Sequence, residues 1–138
     1  MNALPLVRAA TLRGLFLENL SSVVPTMDTA TRDELFVTGA FSLLDRITGT
    51  PIPRLMGPVG MGGNVTDAIV HRQGPYAPYL AVIESIERSD PMAIRRHLDA
   101  LGIPIFDCNQ ALMRALAATQ KLDAEQENRS EETMFAPV

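Results

Sequence analysis

The chain has 138 residues and a mass of 15.0 kDa, sufficient for one domain with one core and too small for two ordinary domains. Apolar residues make up 46% and charged residues 20%, close to the average of soluble globular proteins, so wholesale disorder is excluded. No run approaches the roughly 18 consecutive apolar residues of a membrane span, and the N-terminus lacks the residue order of a signal peptide, so we expect a cytoplasmic protein. The single cysteine, Cys108, excludes an internal disulfide and a multi-cysteine zinc site.

The net charge of −4 lies entirely at the C-terminal end of the chain. Five of the 16 acidic residues and one of the 12 basic residues follow Leu122, so residues 1–122 are formally neutral. A neutral body without a basic excess is a poor electrostatic match for nucleic acid or an anionic membrane. The charge pattern therefore predicts neither of these partners.

The first segment has the pattern of an amphipathic helix over residues 4–24. Its apolar side chains recur at steps of three and four residues, which places them on one face. Arg13 and Glu18 are predicted to lie outside that face, and Pro25 to end the helix. The apolar face comprises Leu12, Leu15, Phe16, Leu20 and Val23.

The second helix has the clearest start signal. Thr31 and Glu34 have the spacing of a reciprocal capping pair. The following residues are apolar on more than one side, which predicts that this helix lies at the centre of a bundle. Gly39 costs about 1 kcal/mol of helix stability relative to alanine, which indicates close approach by a neighbouring helix. Gly49 and Pro51 are expected to end the element.

The rest of the chain also has helical periodicity and no convincing alternation of a β-strand. We predict an all-α fold, a compact bundle of six or seven helices over residues 1–122, followed by an acidic, disordered tail over residues 123–138. The remaining elements are a helical turn over 52–56, a helix over 65–73 capped by Asn64, a helix from Pro75 or Tyr76 to Arg88, a helix capped by Asp90 that ends at Gly102, and a last helix over 106–122 that buries Ala111, Leu112, Ala115 and Leu116.

The chain has two histidines, the residue type that a metal or hydrolytic centre would need. His71 follows Asp67 by four residues, which would place both on one helix face at a spacing that metal ligands use. No other cluster completes a ligand set, so a partly exposed surface pair is favoured. His97, within Arg95-Arg96-His97, is expected on a solvated face. The sequence predicts no metal site.

Other reactive groups are given structural roles. The glycine-rich residues 57–63 precede a helix, but they lack the strand and the Lys-Ser/Thr of nucleotide-binding loops, so a flexible connector is favoured. Cys108 is expected to be a small buried residue. Glu84 and Glu87 share a helix face and are expected to be exposed or paired with Arg88. No catalytic residue, cofactor-binding residue or cofactor is predicted: Ser21, Ser22 and Ser42 lack the context of a nucleophile elbow, and Met56, Met61, Met92 and Met113 are expected to fill gaps in the core.

Several strings occur in an order that matches a known family. The run ELFVTGAFSLLDRITGTP, residues 34–51, contains an F-x-x-G-x-F-S-L-L-D core at Phe36, Gly39, Phe41, Ser42, Leu43, Leu44 and Asp45. The preceding helix, from Val7-Arg8-Ala9-Ala10 to Leu20, is similar to an R-A-x-x-x-E-x-L-A segment with Glu18 at the acidic position. Asp67-Ala68-Ile69 with Gly74, Tyr79-Leu80 to Glu87, and Leu101-Gly102-Ile103 follow in the same order.

Together these strings, over about residues 3–122, resemble the C-terminal half of the HDOD domain (HD-related output domain), above all of those attached to EAL domains. The resemblance implies a helical relative of HD-type phosphohydrolases that has lost their metal-binding residues. This chain departs from the family pattern at residues 58–62, which replace a Leu-Pro-Leu, and at late positions in the last helix. Those late positions are Asn109, Gln110 and Thr119, where the family has aromatic residues.

The resemblance therefore implies a non-catalytic module of bacterial signal transduction that acts through protein–protein contacts and is linked to cyclic di-GMP signalling. A protein partner such as an EAL-type signalling protein is expected, as is a homodimer, because a half-domain exposes the surface that its missing half would cover. Two alternatives remain open at this point. One is a metal-dependent HD-type phosphohydrolase that uses Asp67 and His71. The other is a small-ligand-binding domain with an interhelical cavity lined by Met and Phe.

Overall fold

The computed structural model describes residues 4–59 and 61–135, and over these residues the predicted all-α class is confirmed. Eight α-helices and one π-helical segment occur in this part of the chain, without a strand. In order they are α1 (Leu4–Ser21), α2 (Thr29–Phe41), α3 (Leu44–Thr48), α4 (Ile52–Val59), α5 (Gly63–Thr66), the π-helical segment (Asp67–His71), α6 (Ala77–Glu87), α7 (Pro91–Leu101) and α8 (Ile105–Phe135).

The central helix is α1, not α2 as the sequence pattern predicted. Helix α1 packs against α2, α3, α6 and α8, and Phe16, Leu17 and Leu20 on it are completely buried. In α2 only one large apolar side chain, Leu35, is buried, and Phe36 and Val37 are half-buried. The mixed apolar pattern of α2 therefore reflects partial cover on several sides, whereas α1 is enclosed by four elements.

The expected close approach at Gly39 is confirmed. A Cβ atom at position 39 would lie 2.6 Å from the carbonyl carbon and oxygen of Arg13, and one at Gly14 would lie 2.9 Å from the carbonyl oxygen of Phe36. Both glycines thus allow the backbones of α1 and α2 to touch at their crossing. Because the backbone of Arg13 is part of this contact, the crossing fixes the position from which the Arg13 side chain extends.

Several helix boundaries differ from the prediction because other capping groups are used. Asp28 rather than Thr31 caps α2, since its Oδ1 accepts the backbone N–H of Thr31 at 2.8 Å. The predicted second helix is interrupted at Ser42 and Leu43, and α3 then ends at Gly49 in the left-handed conformation, φ 71°. Helix α4 runs to Val59, beyond the predicted turn over 52–56.

The third predicted helix begins at α5, one residue before the predicted cap Asn64, and changes to π-helical geometry at Asp67. Arg72, with φ 55°, ends it. By contrast, the starts and ends of α6 and α7 agree closely with the sequence signals. Asp90 accepts the backbone N–H of Ala93 at 3.1 Å, and Gly102 ends α7 with φ 69°.

Helix α8 continues to Phe135, through the segment that the sequence analysis predicted to be disordered. Beyond the predicted end at Leu122, the Asp123 carboxylate pairs with Nε of Arg8 at 2.9 Å and so ties the helix to α1. Leu116, predicted to be inside, is 45% exposed. Within the part of the chain that the structure describes, no helix combines the length and apolarity of a bilayer span.

Candidate functional site

The two histidines and Asp67 do not form a reactive centre. His71 is exposed at the end of the π-helical segment, Asp67 is half-buried, and His97 is half-buried on α7, a different helix. Among residues 4–59 and 61–135, no group of three or more His, Cys, Asp and Glu side chains is arranged to hold a metal ion. The predicted absence of a metal site stays a prediction.

Glu84 and Glu87 are paired with two different arginines from other elements, not with Arg88. Glu84 accepts a hydrogen bond from Arg72, at the end of the π-helical segment. Glu87 is bound by Arg13 of α1. These carboxylates therefore connect α6 to its neighbours and do not act as a free acid–base pair.

The end of the glycine-rich segment lies beside Glu34, since a Cβ atom at Gly62 would lie 3.4 Å from the Glu34 Oε2 atom. Gly62 is the N-cap of α5 and Gly63 its first residue, whereas Gly60 lies outside the described residues. Tyr76 is buried, with 5% of the residue exposed, and its hydroxyl lies near Asn64 and Glu34. Burial raises the pKa of Tyr76, and the negative charge of Glu34 raises it further. Asn64 therefore lies near the Tyr76 hydroxyl and does not cap a helix, because Gly62 holds the N-cap position of α5.

Cys108 and the serines have no nucleophile environment. The Cys108 thiol is buried, as predicted, and burial raises its pKa. Ser21 and Ser22 donate hydrogen bonds to the backbone carbonyls of Glu18 and Asn19, at 2.7 and 2.6 Å. Their hydroxyls are therefore engaged locally within α1 and the turn after it.

The best-defined polar arrangement is centred on Arg13, which the sequence analysis placed outside the apolar face. Its side chain is only 5% exposed. Nε donates to Oε2 of Glu87 at 3.0 Å, and Nη2 donates to Oε1 at 2.6 Å, so the pair is bidentate. Nη1 donates to Ser42 Oγ at 2.8 Å, and Ser42 in turn donates to the Gly39 carbonyl at 2.6 Å.

This Arg13 network joins α1, the junction of α2 and α3, and the end of α6. A buried guanidinium is tolerated only when it is paired and hydrogen-bonded, and here both requirements are met by Glu87 and Ser42. All three nitrogens of the guanidinium donate within the chain. The arrangement therefore holds helices together and is not an open anion site.

A signal for Arg13 was present in the sequence and was assigned to the wrong residue. In the R-A-x-x-x-E pattern the arginine precedes the glutamate by five positions, and the residue five positions before Glu18 is Arg13. Arg8, the arginine matched to this pattern above, has a side chain that is 54% exposed and pairs with Asp123. With the corrected spacing, the motif residues Arg13, Ser42 and Glu87 meet in one network.

A second feature is an exposed apolar strip on α8. Phe106 and Met113 are each 66% exposed, and Leu116 is 45% exposed. Asn109 is also exposed, and the four residues are spaced by three, four and three positions along the helix. We name Phe106, Asn109, Met113 and Leu116 the α8 seam.

The prediction that methionines fill the core is wrong for Met113 and for Met92, which is 82% exposed on α7. Met61 does pack against the core. The side chain of Met56 lies outside the described residues.

A groove of about 520 Å³ lies between the start of α1 and the distal half of α8. Arg8, Asp123, Glu127 and Glu131 are among its lining residues. This lining differs from the Met- and Phe-lined cavity of the small-ligand hypothesis, because it contains four charged side chains and neither Met nor Phe.

Comparison with known proteins identifies one curated relative. The chain is similar to the cyclic di-GMP phosphodiesterase CdgJ of Vibrio cholerae serotype O1, with 30% identity over 94 residues. These residues are 68% of this chain and 22% of that protein, so the chain matches about a fifth of the length of its curated relative. No family model matches the chain. No solved structure matches it significantly.

Proposed function

We propose that this chain is a non-catalytic, HDOD-related regulatory module of cyclic di-GMP signalling that acts by binding another protein. The similarity to a cyclic di-GMP phosphodiesterase supports the signalling context. The order of the HDOD-like strings, from α1 to the start of α8, supports the family and an HD-domain-like helical fold. A cytoplasmic location follows from this context.

The observation that carries the proposal is how the motif residues are used. Arg13, Ser42 and Glu87 all make contacts inside the chain, and these contacts connect three elements of the bundle. A catalytic carboxylate or arginine must be able to reach a substrate. The groups that carry the resemblance are instead engaged in maintaining the shape of the module, which is what an interaction domain requires.

The partner that this context favours is an EAL-type phosphodiesterase. Such a partner would connect the module to the second messenger without requiring the chain to bind or hydrolyse the nucleotide itself. The neutral body of the chain, residues 1–122, also favours a protein surface over a polyanion.

The test has two arms with the purified 138-residue chain. In the first, cyclic di-GMP is incubated with the chain and Mg²⁺ or Mn²⁺, and we expect no hydrolysis product. In the second, the EAL-type phosphodiesterases of the same genome are titrated with the chain by calorimetry, and their turnover is measured. We expect saturable binding to one of them with a change in its rate.

Matched variants decide between the alternatives. Hydrolysis that disappears in both Asp67→Asn and His71→Ala would establish a metal-dependent phosphohydrolase and overturn the proposal. Absence of binding to every phosphodiesterase of this class would remove the assigned partner. His97→Ala is the control, because it changes a histidine on a different helix from Asp67 and His71.

A further inference from the structure

One face of helix α8 changes partway along the helix from small, buried residues to acidic ones. Ala115 and Thr119 are buried, and α1 packs against this helix. Further steps of four residues lead to Asp123, Glu127 and Glu131, which line the groove between α8 and the start of α1. The buried part of this face therefore ends near Thr119, and a row of carboxylates continues it.

The start of α1 forms the other wall of this groove. Leu4 and Arg8, about one helical turn apart, line it, and the Arg8 Nε atom lies 2.9 Å from Oδ2 of Asp123. The two side chains of this ion pair are 54% and 40% exposed, and ion pairs in contact with water add little stability. The groove volume of about 520 Å³ shows that side chains do not fill the space between the helices here. This end of α8 is therefore held by electrostatic attraction and not by a packed core.

Residues 123–132 of α8, which we name the strap, have little else to keep them helical. All of their side chains are exposed except that of Asp123, which is half-buried. Asp123, Glu127 and Glu131 repel one another at steps of four residues, whereas Glu125 and Arg129 have the spacing of a favourable pair. A segment this short is marginal as a helix without tertiary contacts. The helix that the structure shows here, in place of the predicted disorder, therefore depends on docking to α1.

We propose that the strap is a conformational switch: it docks on α1 through Arg8, and it releases and unwinds while the rest of the bundle stays folded. In the docked state the Asp123 carboxylate is paired with Arg8, and Glu127 and Glu131 line the groove. Release separates these carboxylates from Arg8 and exposes both to solvent. The two states therefore present different arrangements of charge at this end of the molecule.

This inference concerns a different region from the Arg13 network and does not require the proposed function. The strap opens or stays closed in the isolated chain, whether or not the chain binds a phosphodiesterase. The two proposals therefore fail in separate experiments.

Hydrogen–deuterium exchange of the full chain, measured by mass spectrometry, tests whether the strap opens by itself. We expect strap amides to exchange about a hundredfold faster than the amides of residues 108–119, because a segment with few buried contacts opens locally and a buried one opens only with larger unfolding. Equal protection in the two parts of α8 would overturn the proposal, because the strap would then open only together with the buried part of the helix.

The same measurement on Arg8→Gln tests whether Arg8 holds the strap. We expect exchange in the strap to rise about two- to fivefold, the effect of losing an exposed ion pair, and exchange in residues 108–119 to stay unchanged. Arg95→Gln is the matched control, because Arg95 is an exposed arginine on α7 that does not line the groove, and it should leave the strap unchanged. No rise in Arg8→Gln, or an equal rise in both parts of α8, would overturn the proposal.

A double variant tests whether Arg8 acts on the strap through Asp123. Asp123→Asn should raise strap exchange by a similar factor in the natural chain, and it should cause no further rise in the Arg8→Gln background, because the shared contact is already lost. If the two rises instead multiply, the two residues act separately, and the assignment of their ion pair as the contact that docks the strap is wrong.

Discussion

The Arg13–Glu87 pair should respond unequally to the removal of its two members. Glu87→Ala leaves the guanidinium of Arg13, whose side chain is 5% exposed, with Ser42 as its one side-chain acceptor among the residues that the structure describes. Breaking a fully buried ion pair in this way costs about 3–5 kcal/mol. Because the Glu87 side chain is 38% exposed, water can partly replace the lost carboxylate, and we expect a cost of about 2–3 kcal/mol.

Arg13→Met should be less harmful. It fills most of the same volume with an apolar side chain, and the Glu87 carboxylate that remains is exposed enough to be hydrated. We expect a loss of about 1 kcal/mol. The double variant should cost about 1–2 kcal/mol less than the sum of the single variants, because the unpaired charge is present only in the singles.

Urea unfolding followed by circular dichroism measures all three free energies. In a domain of this size, 1 kcal/mol corresponds to a shift of about 3–5 °C in Tm, which provides a second readout. If Arg13→Met proves more costly than Glu87→Ala, or if the two losses simply add, the network does not have the energetic role derived from its burial. Glu87→Gln, which retains one oxygen acceptor, should fall between the natural chain and Glu87→Ala.

Three further perturbations test local features. Gly39→Ala should lower the free energy of unfolding by about 1–3 kcal/mol, because its Cβ would meet the Arg13 backbone at 2.6 Å, whereas Gly63→Ala, with no atom within 4 Å, should be neutral in the same urea titration. Hydrogen bonds from Thr31 lower the pKa of the Asp28 cap, so its contribution is present above the unfolded pKa of about 3.9 and is lost as the pH falls through the folded value. The Tm difference between the natural chain and Asp28→Ala should therefore shrink in strong acid, and a difference that is constant with pH would contradict this linkage. Cys108, buried and with a raised pKa, should react with a thiol reagent only after unfolding; rapid labelling of the native chain would show that this part of α8 opens.

The sequence predicted the structure best at features that residues close together in the chain determine. Asp90, Pro91 and Gly102 satisfy the geometric needs of the ends of α7 within a few residues, and the structure follows them. Gly39 was also interpretable, since a glycine inside a helix has a cost that only close packing explains. Such features depend on backbone geometry that adjacent residues already determine.

The Arg13 network could not be inferred in the same way because its partners are far apart in the chain. Glu87 follows Arg13 by 74 positions, and helix periodicity alone assigns an arginine to the solvent side. The motif spacing contained the missing information, but it identifies a position and not its partner. Likewise, nothing in the pattern of α8 distinguishes the apolar face that α1 covers from the one that remains open.

The crossing of α1 and α2 limits how this sequence can change over evolution. Most core positions tolerate a larger or smaller residue when neighbouring side chains adjust. At position 39 the atoms in the way belong to the peptide unit of Arg13, which has no rotamers. Descendants of this chain that acquire a side chain there must move an entire helix, and the arginine would move away from its glutamate with it; we therefore expect the glycine and the ion pair to be inherited or lost together.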